Sequence, residues 1–257
     1  MILPLFVGLI VFIGLVYYAV NQTDAFYNYQ GWSHIWTDLD KAARQGADCT
    51  PITKIHRKMG SLSVWIWTMP KSCEQGLPHT RAIDVIAIPE NFPGNLLPST
   101  LDHEKIHLLQ RQMPDSWARF YKLAWEYDLY TQPPQGMPSE LIELRRSNPD
   151  TADSPWCSWR SRWWSIPVYK ARDELSLKSA PIKWWDQQTK TLRNTPPEEW
   201  VQFFGEEVHQ NEHPHEIAAE YLAGPLRNGQ LPYKAPDAMI RLRSSWTEES
   251  LYPSIDS

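Results

Sequence analysis

The sequence predicts an α+β fold that follows a single membrane-spanning helix, and three patterns support this prediction. Residues 2–20 form an unbroken uncharged run. Residues 61–68 and 82–88 have the alternating or continuous apolar character of strands, which predicts a small sheet. Residues 101–113 repeat apolar side chains at helical spacing, and residues 213–225 carry the start and stop signals of a short helix in Pro214, Gly224 and Pro225.

The N-terminal apolar run is long enough to cross a membrane. At 1.5 Å per residue it spans about 28 Å, close to the roughly 30 Å hydrocarbon core of a bilayer. A cleaved signal peptide, the alternative, should carry basic residues ahead of a shorter apolar run, and no Lys or Arg occurs before Lys41. We therefore expect residues 1–21 to be an uncleaved single-pass anchor that contacts the membrane through residues 2–20.

Charge and cysteine content narrow the class of protein. The formal net charge is −5 and no basic run occurs, so we expect no nucleic-acid partner. The three cysteines leave two alternatives open. Either Cys49 and Cys73 form a disulfide while Cys157 stays free, or all three are free thiols.

The strongest chemical signal is His103-Glu104-x-x-His107 in the first predicted helix. Two histidines four positions apart project from one helical face, so both imidazoles can bind a single Zn²⁺. Glu104 then lies beside the metal, where it can take a proton from metal-bound water. The alternative is a helix with two partly exposed histidines and a solvated glutamate.

A third metal ligand is expected in the second predicted helix. Glu216 and Glu220 lie four positions apart and share one face. One carboxylate can bind zinc while the other accepts a hydrogen bond from a ligating histidine. Other candidates for the third ligand lie close by in the sequence: His209, His213, His215, Glu206 and Glu207.

Together, His103-Glu104-x-x-His107 and Glu216-x-x-x-Glu220 resemble the gluzincin group of zinc metallopeptidases. By this resemblance His103, His107 and Glu216 hold Zn²⁺, Glu104 is the general base, and Glu220 orients a ligating histidine. The resemblance covers two short helices and not the whole chain.

Two details refine the resemblance. The interval between His107 and Glu216 is longer than in compact gluzincins, which implies an insertion between the two helices. A metzincin is excluded, because Gln110 and Met113 stand where that group needs Gly and His.

The resemblance implies a zincin-like domain with a small sheet at residues 49–225. A juxtamembrane helix or stalk (22–48) would precede it and a C-terminal tail (226–257) would follow. We expect a membrane-anchored zinc peptidase that hydrolyses peptide or protein substrates, with its catalytic domain on the non-cytoplasmic side. The alternatives are a non-catalytic membrane-anchored binding protein with a structural or vestigial zinc site, and a zinc hydrolase of non-peptide amides or esters.

The transition state of such a reaction needs a further hydrogen-bond donor for the developing oxyanion. The sequence offers several candidates without choosing between them: Tyr221, His213, His215, Arg227 and Tyr233.

Two segments each have two interpretations. By the resemblance, residues 82–88 would border the cleft and pair with the substrate backbone, but the same pattern fits an internal strand. Residues 156–164 interleave tryptophans with arginines. They fit a stacking surface for sugars or peptides, and they fit better a strand with alternating buried rings.

Overall fold

The computed structural model describes residues 35–81, 83–246 and 253. The predicted membrane-spanning run at residues 2–20 lies outside the described residues. The described part belongs to one folded unit that begins at Ile35.

The described residues form seven α-helices and nine strands, joined by turns and loops. The helices are α1 (Asp38–Ala43), α2 (Leu97–Gln112), α3 (Pro114–Trp125), α4 (Ser139–Leu144), α5 (Glu198–Phe204), α6 (Pro214–Ala223) and α7 (Asp237–Ser245). The strands are β1 (Thr53–Met59), β2 (Leu62–Met69), β3 (His79–Arg81), β4 (Val85–Pro89), β5 (Tyr127–Tyr130), β6 (Trp156–Trp159), β7 (Trp163–Pro167), β8 (Ile182–Asp186) and β9 (Thr191–Arg193). Two short 3₁₀ turns cover Cys73–Gly76 and Pro149–Thr151.

The first sheet has four strands in the order β1-β2-β4-β3. Strand β2 is antiparallel to β1 and parallel to β4, and β4 is antiparallel to β3. Leu62, Val64 and Ile86 from the two middle strands lie in the core. Both strands predicted from the sequence are therefore present. Because β4 is paired with β2 on one side and with β3 on the other, it is an internal strand and has no free edge to pair with a substrate backbone.

The second sheet is antiparallel throughout, in the order β5-β6-β7-β8-β9. The tryptophan-rich segment forms β6 and β7, which are joined through Arg160 and Ser161 in the left-handed region. Trp159 and Trp163 are buried. The rings therefore pack inside the protein, as the strand interpretation predicts, but the segment is a hairpin of two strands in place of one, and its burial does not alternate.

The predicted fold class needs correction. We expected one small sheet behind a membrane-spanning helix, whereas the structure is α+β with two separate sheets. Among the described residues, none of the helices has both the length and the apolar character that a membrane crossing requires. The longest of them, α2, has 16 residues and carries charged side chains. The sequence did not indicate a second sheet, because its strands of three to five residues are too short to show a clear periodicity.

Aromatic side chains hold the helices together. Helix α3 places Trp117, Phe120, Tyr121 and Trp125 in the core, each essentially without solvent exposure. Helices α2 and α6 pack side by side next to this cluster. This pairing brings the two sequence motifs together.

The structure decides between the two alternatives for the cysteines. Cys49 and Cys73 form a disulfide, and Cys157 is a buried free thiol. Burial raises the pKa of the Cys157 thiol to about 12, which makes this cysteine unreactive at neutral pH.

Candidate metal centre

Helix α2 presents three of the predicted site residues on neighbouring positions of one surface. Because His103 and His107 are one turn apart, their rings lie edge to face, and their Nε2 atoms are 3.0 Å from each other. His107 is buried, whereas His103 retains some exposure towards a cavity. The two imidazoles therefore converge on one point at the cavity wall.

Helix α6 supplies the third side chain of the cluster. Pro214 lies in the first turn of this helix, and the His213 side chain caps it by accepting a hydrogen bond from the backbone N–H of His215. One turn of helix then orients Glu216 towards α2. Its Oε2 lies 3.2 Å from His103 Nε2 and 3.4 Å from His107 Nε2.

These three atoms fit the coordination geometry of zinc. Ligand atoms at two corners of a tetrahedron with bonds of about 2.0–2.1 Å are about 3.3 Å apart. The three observed separations lie between 3.0 and 3.4 Å. Two imidazoles and one carboxylate are also the donor set of catalytic zinc sites that leave a fourth position open. The residues present therefore fit Zn²⁺.

Gln110 fixes the ring of His107. The Gln110 amide donates to the Tyr121 hydroxyl at 3.1 Å and to the His215 carbonyl at 2.9 Å, so its oxygen is left as an acceptor. This oxygen lies 2.8 Å from His107 Nδ1, which must therefore donate. When His107 is neutral, as a metal ligand must be, this contact leaves the lone pair on Nε2, the atom that faces the cluster.

Asn148 fixes the carboxylate of Glu216. Its Nδ2 donates to Glu216 Oε1 at 2.7 Å and to Glu212 Oε1 at 2.9 Å. Arg146 neutralises Glu212 through a short ion pair. Since Oε1 of Glu216 is engaged by Asn148, Oε2 alone is directed at the histidines.

Glu104 is buried beside the cluster. Burial raises the pKa of Glu104, and the negative charge of Asp150 raises it further. Asp150 is itself held by the backbone N–H of Thr80 at 2.8 Å and by the Thr80 hydroxyl. Among the described residues, Glu104 Oε2 has no hydrogen-bond partner. A buried carboxyl group with a raised pKa and an oxygen without a hydrogen-bond partner is suited to accept and donate a proton.

The cluster opens into a cavity of about 560 Å³. His103, Glu104 and Glu216 form one wall. The chain ahead of β3 and the loop ahead of α2 border it, together with a set of charged residues. The remaining lining includes Leu77, Pro78, His79, Phe92, Arg44, Glu74, Arg146, Glu212, Leu177 and Lys178.

Two of the other predicted site residues are engaged elsewhere. The carboxylate of Glu220 lines the cavity and accepts the backbone N–H groups of His209 and Gln210 at 3.0–3.2 Å, so its hydrogen bonds do not go to a ligating histidine. The hydroxyl of Tyr221 is buried and donates to the carbonyl of Phe204.

The two histidines at the start of α6 lie beneath the metal cluster. His213 donates from Nε2 to the Ser154 carbonyl at 3.0 Å, since its Nδ1 is the capping acceptor. Burial lowers the pKa of His213 to about 4. Burial also lowers the pKa of His215, whose ring packs against Tyr121. Both are therefore neutral at physiological pH, and neither lines the cavity.

Gln110, Asn148 and Asp150 belong to the site although the sequence did not identify them as site residues. Gln110 had a usable signal, since it lies three positions after His107 on the same helical face. Asn148 and Asp150 belong to an irregular segment far from either motif, and no local pattern connects them to Glu216 or Glu104.

Comparison of the chain with protein-family models, with characterised proteins and with solved structures found no match in any of the three. The resemblance to gluzincins therefore rests on the two motif helices alone and stays a prediction.

Proposed function

We propose that this protein is a zinc-dependent hydrolase of peptide bonds. The observation that carries the proposal is the convergence of His103 Nε2, His107 Nε2 and Glu216 Oε2 at the spacing of tetrahedral zinc ligands. Glu104 lies beside this triangle, and a cavity large enough for a small ligand opens from it.

A zinc ion held by these residues would polarise a carbonyl group and lower the pKa of its bound water towards neutrality. The protein's own side chains would transfer one proton. Glu104 accepts a proton as the nucleophile attacks the carbonyl, and it returns this proton to the leaving amine. Burial protects this exchange from bulk solvent.

The environment of Glu104 favours an amide substrate over an ester. An amine is a poor leaving group unless it is protonated as the C–N bond breaks. Burial and the charge of Asp150 raise the pKa of Glu104, which favours the protonated carboxyl form that can donate to the leaving amine. An ester does not require this second proton transfer.

The disulfide between Cys49 and Cys73 supports a location outside the cytosol for the folded part of the chain. Disulfides persist in oxidising compartments and are rare where thiol reductants are abundant. This location agrees with the expectation from the sequence that the catalytic domain lies on the non-cytoplasmic side.

The decisive experiment compares the full-length protein with its Glu104→Gln variant on a peptide library, with and without a chelator. The amide is nearly isosteric with the carboxylate but cannot accept the proton. We expect the variant to keep its zinc and to lose about 10²–10⁴-fold in rate. Equal chelator-sensitive cleavage by both proteins would remove Glu104 from the mechanism. Absence of any cleavage by zinc-loaded wild type would favour a binding protein instead.

A further inference from the structure

The edge strand beside the metal helix is β3, because the first sheet ends there. Leu77, Pro78 and His79, at and just before this strand, line the cavity. A free strand edge at this place could bind an extended substrate by adding its backbone as a further strand. An extended substrate can therefore pair with β3 only if this strand has backbone N–H or carbonyl groups without a partner in the protein.

The outward-facing N–H groups of residues 77–81 are all used or absent. The N–H of Leu77 bonds to the Glu74 carbonyl at 3.1 Å, and Pro78 has no N–H. The N–H of Thr80 bonds to Asp150 Oδ1 at 2.8 Å.

The two remaining N–H groups point into the sheet. In an antiparallel pair, alternate residues direct their backbone groups to the partner strand. Because Thr80 points outwards, His79 and Arg81 point towards Ala87 and Val85 of β4. The outward donors of the strand edge are thus satisfied within the protein.

The same edge is physically covered. The 3₁₀ turn Pro149–Thr151 packs along β3, and each of the three β3 residues is at most 2% exposed. Leu77 also uses its carbonyl, which accepts a hydrogen bond from His79 Nδ1 at 3.0 Å. A substrate backbone would have to displace Asp150 and this turn before it could pair with the strand.

Two charged residues of the cavity wall are held in place by a buried interaction. Arg44 and Glu74 form an ion pair of 2.9 Å, with both side chains at most 7% exposed. Gln75 joins this wall to the loop beyond it, since its side chain bonds to the backbone of Leu175 and Leu177 at 2.9–3.0 Å. The wall is therefore unsuited to opening for a long chain.

From this accounting we infer that the cavity takes short peptides and excludes extended polypeptides, a conclusion that rests on the proposed function. Its volume of about 560 Å³ lies within the roughly 300–1,000 Å³ typical of sites that enclose small ligands. Such a space accommodates a peptide of roughly two to four residues. The hydrogen bond from Thr80 to Asp150 is the contact that closes the strand edge.

The test is a length series of alanine peptides, from the dipeptide to the decapeptide, together with a denatured protein. Zinc-loaded wild type should cleave the short peptides with the highest kcat/KM. This ratio should fall about tenfold or more once the peptide exceeds the cavity, and the denatured protein should not be cleaved. A kcat/KM that stays level or rises with length would overturn the inference while leaving the proposed hydrolysis intact.

Binding to the zinc-loaded Glu104→Gln variant, measured by calorimetry, separates the two proposals. Tighter binding of short peptides than of long ones supports the length limit even where hydrolysis is absent, and equal binding at every length refutes the limit. The Asp150→Ala variant should raise the ratio of long-peptide to short-peptide kcat/KM. Asp153→Ala, in the same segment but largely exposed, is the matched control. An unchanged ratio in Asp150→Ala would overturn the role given to the Thr80–Asp150 contact.

Discussion

The side-chain oxygen of Gln110 lies 2.8 Å from His107 Nδ1, and this contact determines which nitrogen of His107 can bind a metal. Gln110 can serve only as an acceptor there, because its amide hydrogens already go to Tyr121 and the His215 carbonyl. Gln110 thus contacts both motif helices and the aromatic core, and these contacts together determine that Nδ1 of His107 carries a proton.

Replacing Gln110 should weaken zinc binding without removing a ligand. We expect Gln110→Leu to lower zinc affinity by about 10–100-fold, the usual effect of losing a partner that orients a ligand. Gln110→Glu keeps an acceptor for Nδ1–H and should retain more affinity. Chelator competition measures both variants. Gln112→Leu, in the last turn of the same helix, is the control, and equal affinity in Gln110→Leu and Gln112→Leu would contradict the assignment.

The histidines themselves should be indispensable for zinc. After exhaustive dialysis, wild type should contain about one zinc per chain, as a site with three protein ligands predicts. His103→Ala and His107→Ala should each abolish this content. His209→Ala removes an exposed imidazole outside the cluster and should leave zinc unchanged. Full zinc content in either ligand variant would show that the metal binds elsewhere.

Asn148 should matter through the orientation of Glu216. Asn148→Ala frees Glu216 Oε1 and should reduce zinc affinity by about 10–100-fold. Asn148→Asp should be worse, because it places a third carboxylate against Glu212 and Glu216. Zinc affinity and melting temperature are the measurements. An aspartate variant that matches wild type in both would show that the amide is not needed.

The metal-free protein should lose stability as the pH rises above neutrality. Burial alone would lower the pKa of His107, but the carboxylates of Glu216 and Asp150 raise it from 6.5 to about 10. The folded state therefore keeps a proton that the unfolded chain releases. This contribution is complete below pH 6.5 and is lost as the pH approaches 10.

Thermal melts across this pH range measure the effect, which should amount to roughly 4 °C or more in melting temperature. Metal-free His107→Ala should lack this contribution. Zinc-loaded wild type should lack it too, since a ligating histidine carries no added proton. Parallel pH profiles for metal-free wild type and His107→Ala would refute the explanation.

Substitution of Gly224 should destabilise the fold, because this residue caps the C-terminal end of α6 and lies close to the helix backbone. A Cβ at this position would lie 2.7 Å from the Glu220 carbonyl oxygen. Gly224→Ala should therefore cost about 1–3 kcal/mol of unfolding free energy, the range typical of overpacking. Gly94→Ala adds the same methyl group where no atom lies within 4 Å, and it should be nearly neutral. Denaturant unfolding of the two variants gives the comparison.

The parts of the site that could be predicted from sequence are those set by helical periodicity. His103 and His107 come together because they are one turn apart. Glu216 could be placed on a second helix because Pro214 indicates where that helix starts. Asn148 lies in an irregular segment, and strands β6 to β9 separate it from Glu216 along the sequence, so no local pattern indicates their contact.

Helix ends were harder to predict, because several residues compete to start or stop a helix. Ser99 and Thr100 have the hydroxyl side chains that favour a helix start, yet α2 begins ahead of them at Leu97, with Pro98 in its first turn. Aromatic side chains continue along the sequence to Tyr130. Helix α3 nevertheless ends at Trp125, because Glu126 adopts the left-handed region and a strand follows. Side-chain patterns do not reveal such a backbone reversal.

The buried carboxylate of Asp40 has a practical consequence for how this protein can be divided. Asp40 accepts the N–H and hydroxyl of Ser147 and the hydroxyl of Tyr169, at 2.6–3.0 Å, and it also contacts Arg44. Ser147 immediately precedes Asn148, which positions Glu216. A fragment that begins at residue 49, the domain boundary suggested by sequence alone, would delete the anchor point of the segment that holds the third ligand. Expression fragments should therefore begin no later than Ile35.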